Sequence, residues 1–396
     1  MNTKKLLYPI IFVFVLSCSG ENQQDDDSMH PIQEKLPYSN VNPDLPEVRD
    51  GGEYIDSMPE SVQVLYRFLN YESQAASQQE LDLLTTGNID VSAINDSTLL
   101  VLEIGSNRLV QYDLKGDQYE VIADRGRGPG DLYFERELSV YNDKAFIAMQ
   151  AYRLSVFSCD YGGCEYEKTL QTEYNNYSVA PLDDHLYFLG IPPFGGEQYA
   201  DSAAKEQNLI HKINYEGDHK QSYLPAYNFW APMVRERMNS GGQVRVFPEY
   251  DITIVTFDFF PYLYSHNNEG KLTAIYEIPG FIQGFYEFEE RSDGRWRGRL
   301  VYDSNSRISA TAKLDDKWLL IKIREQRDVE FLGMDEGFEG DEWYSYYLFN
   351  IEKEKLFKIG DDTKTPVNES RVIHVVDNGI VINESGLLYW QGVNSN

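Results

Sequence analysis

The sequence predicts an all-β fold built from six copies of one antiparallel sheet. Three observations lead to this prediction: a high aromatic content, a six-fold repeat of polar turns, and a second hairpin in five of the six repeats. Tyr, Phe and Trp make up 14% of the 396 residues, and these side chains favour pleated strands. Extended apolar runs outnumber helical patterns, so we expect many short strands separated by tight turns.

One pattern recurs six times, a polar turn of two or three residues followed by an extended apolar strand. Asn, Asp and Gly dominate these turns, and they tolerate the positive φ angles that tight hairpins require. The six turns lie at residues 95–97, 142–144, 183–185, 249–251, 315–317 and 377–379. Each turn therefore marks the first hairpin of one structural repeat.

Five of the copies continue into a second hairpin. The second turns lie at residues 115–117, 161–163, 216–218, 268–270 and 352–355. Two hairpins form a four-stranded antiparallel sheet, and six such sheets at a period of roughly 40–65 residues are typical of a propeller. We therefore predict a six-bladed β-propeller over residues 60–396.

The sixth copy ends at residues 387–390, one strand short of a complete sheet. Residues 62–68, Val-Gln-Val-Leu-Tyr-Arg-Phe, could supply the missing outer strand and close the ring. Closure matters because an open ring leaves sheet edges that invite aggregation. The same segment also fits a short helix.

The first 20 residues indicate export and lipid anchoring. Lys4 and Lys5 precede an apolar run at 6–16 that is too short to span a bilayer. The run ends at Ser17-Cys18-Ser19-Gly20 and resembles a bacterial lipoprotein signal peptide, residues 1–17, after which Cys18 becomes the lipidated first residue. An ordinary secretory signal or an N-terminal anchor is the alternative. We expect a cell-envelope protein, attached to the outer membrane through its N-terminal lipid.

Residues 18–59 predict a flexible acidic tether that begins with the lipidated cysteine. The segment is polar and contains five prolines. Its residues 23–27, Gln-Gln-Asp-Asp-Asp, resemble the export signal that directs Bacteroidetes lipoproteins to the cell surface. A solvated linker is the alternative interpretation.

Two further cysteines, Cys159 and Cys164, flank one of the second turns. Outside the cytoplasm such a pair can form a disulfide across the hairpin, with two free thiols as the alternative. A metal site needs more ligands than this pair offers. The net charge of −29 excludes nucleic acid as an expected partner, because so acidic a surface repels phosphate backbones.

A glycine-rich stretch at residues 126–132, Gly-Arg-Gly-Pro-Gly-Asp-Leu, lies between the first two copies. It resembles the blade junction Gly-x-Gly-Pro-Gly-Glu-Phe of the six-bladed β-propeller lipoproteins of Bacteroidetes, relatives of the NHL and TolB-like propellers. Residues 107–113 also resemble the NHL strand. The resemblance is strong over residues 90–170 and implies a fold and a location but no activity, because that family is largely uncharacterised.

The loops of the predicted propeller differ between its two faces. The tight turns share one face, here called the trimmed face. Four long segments share the other, here called the elaborated face: residues 191–207, 225–242, 279–307 and 324–343. Long loops on a rigid scaffold commonly carry function.

Aromatic and arginine side chains in these segments suit sugar rings, peptides or protein surfaces. The candidate binding residues are Phe194, Tyr199, Trp230, Arg235, Arg237, Arg295, Trp296, Arg297 and Trp343. Packing of the aromatic rings onto the propeller, with the arginines paired to nearby glutamates, is the alternative. We expect a non-catalytic binding or scaffold protein for a glycan, a peptide or an outer-membrane protein, without a cofactor.

An enzymatic role is the alternative function. The six histidines are scattered and form no metal or hydrolase motif, so no catalytic residue is assigned. Some six-bladed propellers hold a divalent cation in the central channel and act as hydrolases or lyases on lactones. Asp124, Asp131 and Asp258 are the acids that could face such a channel.

Overall fold

The apolar runs that follow the polar turns form β-strands, which make up most of the regular structure. The computed structural model describes residues 29–31, 42–70, 79–84, 88–150, 152–160, 163–192, 207–227, 238–282, 284–290, 296–301, 304–333, 337–366, 371–376, 379–384 and 387–392. The predicted lipidation site, Cys18, lies outside these residues.

The N-terminal part contains two short strands, a helix and one further strand. The elements are β1 (Met29–Pro31), β2 (Val48–Asp50), a 3-10 helix (Gly51–Ser57), α1 (Glu60–Asn70) and β3 (Gln79–Leu84). The first two blades follow. Blade 1 consists of β4 (Ile89–Asn95), β5 (Thr98–Glu103), β6 (Arg108–Asp113) and β7 (Gln118–Ala123). Blade 2 consists of β8 (Glu135–Tyr141), β9 (Lys144–Met149), β10 (Arg153–Asp160) and β11 (Gly163–Gln171).

Blades 3 and 4 have the same four-stranded order. Blade 3 consists of β12 (Asn175–Pro181), β13 (His185–Ile191), β14 (Asn208–Asn214) and β15 (His219–Pro225). Blade 4 consists of β16 (Gly242–Phe247), β17 (Ile252–Phe257), β18 (Tyr262–His266) and β19 (Leu272–Glu277), with a 3-10 turn at Pro248–Tyr250 between its first two strands.

A separate hairpin precedes the last two blades, β20 (Phe285–Glu290) and β21 (Trp296–Val301). Blade 5 consists of β22 (Ser304–Lys313), β23 (Trp318–Gly333), β24 (Gly337–Asn350) and β25 (Lys355–Pro366). Blade 6 consists of β26 (Arg371–Val376), β27 (Gly379–Glu384) and β28 (Leu387–Gly392), completed by β3. The six predicted turns each join the first two strands of a blade, so the six-bladed β-propeller is confirmed.

The ring is closed by β3, which pairs antiparallel with β28 as the outer strand of blade 6. Leu81 and Leu83 of β3 are buried between blades 6 and 1. The interpretation of residues 62–68 as the closing strand is therefore wrong, and the alternative of a short helix is correct. The sequence does predict that a segment upstream of blade 1 completes blade 6.

Residues 62–68 are helical because their apolar side chains recur at helical spacing. Val62 and Leu65 are fully buried on one face of α1, against Phe357 of blade 5 and Ile380 of blade 6. The carbonyl of Pro59 accepts the backbone N–H groups at the start of the helix. The helix covers the outside of the junction between blades 5 and 6.

The last part of the segment predicted as the tether is attached to the ring. β2 pairs in parallel with β25, and Asp44 exchanges backbone hydrogen bonds of 2.7 and 2.8 Å with blade 4. The Asp50 carboxylate accepts from the N–H of Gly52 at 2.9 Å and caps the 3-10 helix. Residues 42–58 thus belong to the folded part of the chain, which corrects the boundary expected at residue 59.

Two of the four long segments are strands, not loops. Within residues 279–307, β20 and β21 form a hairpin that pairs with β1. Within residues 324–343, β23 and β24 continue their pairing beyond the blade as far as Gly333 and Gly337. The pairing of β23 with β24 has register shifts between Arg327 and Glu330 and between Phe331 and Gly333, and it extends these two strands beyond the blade as a two-stranded ribbon.

Cys159 and Cys164 form a disulfide between directly opposite positions of β10 and β11. Both side chains are buried among apolar residues of blades 1 and 2. Such apolar clusters lie between neighbouring blades around the ring. Within the described ranges, no helix is long and apolar enough to cross a membrane.

We expect Leu65→Ala to lower the free energy of unfolding by about 2–5 kcal/mol, because it leaves a cavity under α1. Arg67→Ala, at an exposed position of the same helix, should change it by no more than about 0.5 kcal/mol. Denaturant unfolding of both variants measures the difference. Equal effects would show that α1 is not anchored through Leu65.

Candidate binding site at the mouth of the central channel

The first strand of each blade lines the central channel and is an edge strand. Its inward backbone N–H and C=O groups have no neighbouring strand, so they need side-chain partners. In this protein the partners are charged and amide side chains on the same inner strands. These side chains form a polar network that connects blades across the central channel. We call this network the channel floor.

The centre of the floor is an ion pair between Glu137 of β8 and Arg245 of β16. Arg245 Nη2 lies 2.6 Å from Glu137 Oε1 and donates to the backbone O of Thr311 at 2.6 Å. Arg245 Nη1 also donates to the O of Val244 at 2.7 Å. Glu137 is only 3% exposed. One guanidinium thus joins blades 2, 4 and 5.

Four further contacts extend this network, three of them to the backbone of an inner strand. Glu137 Oε2 accepts from the N–H of Val179 at 2.8 Å, and Ser178 Oγ accepts from the N–H of Val244 at 3.0 Å. Gln243 accepts from the N–H of Thr311, and its Nε2 donates to Glu137 Oε1 at 3.1 Å. These bonds include blade 3 in the network.

Asp90 adds blade 1 to the network. Its Oδ2 accepts from the N–H of Leu138 at 2.8 Å. Desolvation, together with the nearby negative charge of Glu137, raises the pKa of Asp90 to about 7. A carboxylic acid at the channel wall therefore titrates near neutral pH.

The wall between blades 5 and 6 carries a lysine among aromatic rings. Lys322 Nζ lies 4.2 Å from the centre of the Tyr344 ring and donates to the O of Ile373 at 3.4 Å. Burial lowers the pKa of Lys322 to about 7. Burial, and the positive charge of Lys322, lower the pKa of His374 to about 3, so this imidazole is neutral at physiological pH.

A second carboxylate, Glu342 of β24, is held beside that wall. Arg324 and Gln326 of β23 donate to its Oε1, Gln326 at 2.9 Å, and the hydroxyl of Tyr344 donates to Oε2 at 3.3 Å. Glu342 is 1% exposed. The negative charge of Glu342 therefore holds the Arg324 guanidinium in place at the mouth of the channel.

Above the floor lies a cavity of about 570 Å³, and a second cavity of about 380 Å³ shares four lining residues with it. The inner strands run from the elaborated face to the trimmed face. Early residues of these strands, such as Arg136 and Gln243, line both cavities, and late residues, such as Ala312 and Val375, line the larger one. Asp258, just after β17, also lines both. The region that the two cavities share therefore lies toward the elaborated face and is here called the mouth of the channel.

The larger cavity is cationic, in contrast with the net charge of −29 for the chain. Its described lining includes four arginines and one lysine: Arg136, Arg245, Arg307, Arg324 and Lys322. Arg245 and Arg324 are paired with Glu137 and Glu342, and Lys322, with its pKa of about 7, is partly charged at neutral pH. Among the described lining residues, only Asp90 and Asp258 supply carboxylates. The mouth thus concentrates positive charge inside an acidic protein, which favours anionic groups.

The glycine-rich junction at residues 126–132 is a structural corner between blades 1 and 2. Asp131 Oδ2 accepts from the N–H of Gly128 at 2.7 Å, and the N–H of Gly126 donates to the O of Leu132 at 3.0 Å. A Cβ at Gly126 would lie 2.0 Å from Asp131 Oδ2, so a larger residue there would displace the Asp131 carboxylate from its hydrogen bond to Gly128. Asp131 acts within the junction, and neither it nor Asp124 lines the cavities.

The predicted binding residues fall into two groups. Six lie outside the described residues: Phe194, Tyr199, Trp230, Arg235, Arg237 and Arg295. Trp296 and Arg297 begin β21, and half-buried Trp343 lies on β24 opposite Glu325. Trp343 does not line a cavity of the described channel.

The cationic residues of the mouth are not among the residues predicted to bind. The signal that could have identified Lys322 and Arg245 is a charge inside an otherwise apolar strand, as in Leu-Leu-Ile-Lys-Ile and Val-Arg-Val. In a strand buried on both faces, such a charge needs a channel or a partner. In the described part of the chain, no three His, Cys, Asp or Glu side chains converge as a metal-ion site would require.

No protein-family model matches the sequence, and no curated protein is similar to it. Solved structures of similar fold include a DUF4221 family member from Bacteroides vulgatus, with 12% identity, a TM-score of 0.47, and coverage of 79% of this chain and 94% of that one. A protein of unknown function from Bacteroides thetaiotaomicron has 12% identity, a TM-score of 0.47, and coverage of 80% and 72%.

Virginiamycin B lyase from Staphylococcus aureus has 12% identity, a TM-score of 0.42, and coverage of 79% of this chain and 98% of that one. At these identities the similarity concerns the fold alone.

We expect Glu137→Ala to destabilise the protein by about 3–5 kcal/mol, because Arg245 is left as a buried unpaired charge. Glu167→Ala removes the partner of Lys144 on the trimmed face, a more exposed pair, and should cost no more than about 1 kcal/mol. Chemical denaturation of both variants tests this. A Glu137→Ala effect as small as that of the control would contradict the role of the floor network.

Because of Asp90, we expect the free energy of unfolding to fall as the pH rises. Its folded-state pKa of about 7 exceeds the unfolded value of about 3.9, so the folded protein binds more protons between these pH values. The free energy of unfolding then decreases through this window. Asp90→Asn should remove that decrease, which is at most about 4 kcal/mol at roughly 1.4 kcal/mol per pKa unit.

The measurement is denaturant unfolding of wild type and Asp90→Asn at pH 5 and pH 8. The variant should gain stability relative to wild type at pH 8. The difference between the two proteins isolates Asp90, because the histidines with lowered pKa act in the opposite direction. A constant difference across the pH range would show that Asp90 ionises normally.

Proposed function

We propose that this protein is a lipid-anchored propeller of the cell envelope that binds a partner at the channel mouth without chemically changing it. The observation that carries the proposal is the arginine-lined channel mouth at the elaborated face, next to a network whose charged groups already have partners. Glu137, Arg245 and Glu342 are each held by several hydrogen bonds. Such groups are suited to fixed recognition.

The envelope location rests on the N-terminal sequence and on the cysteines. Cys18 is the proposed lipidation site, and the lipid would attach the chain to the outer membrane. Cys159 and Cys164 form a disulfide, which is the usual state of paired cysteines outside the cytoplasm. An acidic segment at residues 23–27 supports exposure on the cell surface.

The partner classes are a glycan, a peptide or another envelope protein. All three can present carboxylates or hydrogen-bond acceptors to the arginines of the mouth. Nucleic acid is not part of the proposal, because the net charge of −29 opposes its approach. No cofactor is required for binding of this kind.

The test is a pull-down from intact cells with affinity-tagged, lipidated protein, comparing Arg136→Glu with Lys144→Glu. Arg136 lies at the mouth, whereas Lys144 begins β9 next to a turn of the trimmed face. We expect wild type and Lys144→Glu to recover the same partner, and Arg136→Glu to recover at least about tenfold less.

Equal recovery by the two variants would contradict the assignment of the binding face. Circular dichroism of each variant controls for folding. Protease treatment of intact cells, performed first, tests surface exposure separately, since a protein below the outer membrane is protected.

A further inference from the structure

Exposed aromatic side chains occupy the corner beside the smaller cavity. Phe134 precedes β8 and is 55% exposed, and Tyr152 follows β9 and is 39% exposed. The Tyr133 and Phe134 rings lie 4.2 Å apart, and the Arg127 guanidinium lies 5.0 Å from the Tyr133 ring centre. We call Tyr133, Phe134 and Tyr152 the aromatic shelf. The shelf belongs to the elaborated face, because it lies between blades 1 and 2 and at the turn between β9 and β10.

Two shelf residues have a backbone conformation that bulky side chains rarely adopt. The φ angles are +56° at Phe134 and +61° at Tyr152. Glycine or asparagine would adopt this left-handed conformation at lower cost. Folding gains little from a strained aromatic residue whose ring is exposed, so a function outside the fold accounts better for these residues.

The surrounding structure holds the strained backbone in place. The N–H of Phe134 donates to Asn107 Oδ1 at 2.9 Å, and the O of Phe134 accepts from the N–H of Gln150 at 2.9 Å. The O of Tyr152 accepts from the N–H of Thr172 at 2.8 Å. The shelf is thus a rigid surface, and little conformational entropy is lost when a ligand binds to it.

The aromatic shelf is continuous with the cationic mouth. Arg136, two residues after Phe134, donates to Gln150, and Gln150 Nε2 donates to the hydroxyl of Tyr177 at 3.3 Å. The Arg136 guanidinium lies 5.6 Å from the centre of the Tyr177 ring. Arg136 lines both cavities, so a ligand lying on the shelf can extend into the channel mouth.

We propose that the aromatic shelf and the channel mouth form one site for an acidic saccharide, with sugar rings on the shelf and a carboxylate directed toward Arg136 and Arg307. This inference rests on the proposed binding function and specifies its ligand class. Sugar rings present C–H faces that pack on aromatic rings, and arginines bind carboxylates with two parallel hydrogen bonds. A neutral saccharide would leave the cationic excess of the cavity without a role.

The experiment is calorimetric titration of the purified full-length chain with a galacturonic acid hexasaccharide. Phe134→Asn removes the ring while keeping a residue that tolerates the left-handed backbone, and we expect about a tenfold weaker Kd. Arg136→Gln should also weaken binding about tenfold and reduce its dependence on salt. Tyr119→Asn, at a 48% exposed position of β7, and Lys144→Gln should bind like wild type.

Two other ligands test whether the protein recognises the negative charge, the sugar rings or both. The methyl-esterified hexasaccharide, which lacks the charge, should bind at least about tenfold more weakly. Oligoglutamate of the same length has the charge but no sugar rings and should not compete. Competition by oligoglutamate as strong as that by the saccharide would overturn the inference, as would equal binding of the esterified form.

Failure of this inference is distinguishable from failure of the proposed function. If no saccharide binds, yet a partner is recovered from cells in a manner that depends on Arg136, the saccharide assignment is wrong and the binding face stands. If recovery is also insensitive to Arg136, both are wrong. Loss of binding in the Tyr119→Asn control would likewise count against the shelf.

Discussion

The ion pair between Glu137 and Arg245 satisfies a constraint on which the rest of the ring depends. Each blade of a propeller presents an edge strand to the axis, and the backbone groups of that edge have no strand to pair with. Glu137, Arg245, Gln243 and Asp90 replace the missing partners, and their hydrogen bonds reach the inner strands of blades 1 to 5. Apolar clusters between blades supply most of the burial. The polar floor determines how the inner edges meet at the axis.

The same floor defines the candidate site. Its charged groups are committed to one another, and its residues Asp90, Gln243 and Arg245 also line the larger cavity. The arginines that remain around the channel mouth are held by neighbours, as Arg324 is by Glu342. A pocket with fixed cations in a protein of net charge −29 favours anionic ligands. The aromatic shelf next to this pocket adds a flat surface of defined orientation. Recognition therefore depends on preorganised groups, which lose little freedom on binding.

Much of the fold was predictable because its signals are local. The six polar turns and the second hairpins are short-range patterns, and each lies where the sequence predicts. Residues 62–68 fit both a strand and a helix, because a short apolar run matches both periodicities, and only packing against Phe357 and Ile380 selects the helix. The segments at 279–307 and 324–343 lack tight turn signals, so their pairing as β20–β21 and as the extension of β23–β24 was not foreseen.

The sequence by itself determined the repeat, the number of blades and the division into a trimmed and an elaborated face, since turn chemistry and strand alternation act between neighbours in the chain. It also placed Cys159 opposite Cys164, which are five residues apart across one turn. Only the tertiary structure decided which charges meet at the axis. Glu137 and Arg245 are 108 residues apart, and their attraction exists only once ring closure brings two inner strands together. The candidate site depends on that long-range geometry, which no local pattern encodes.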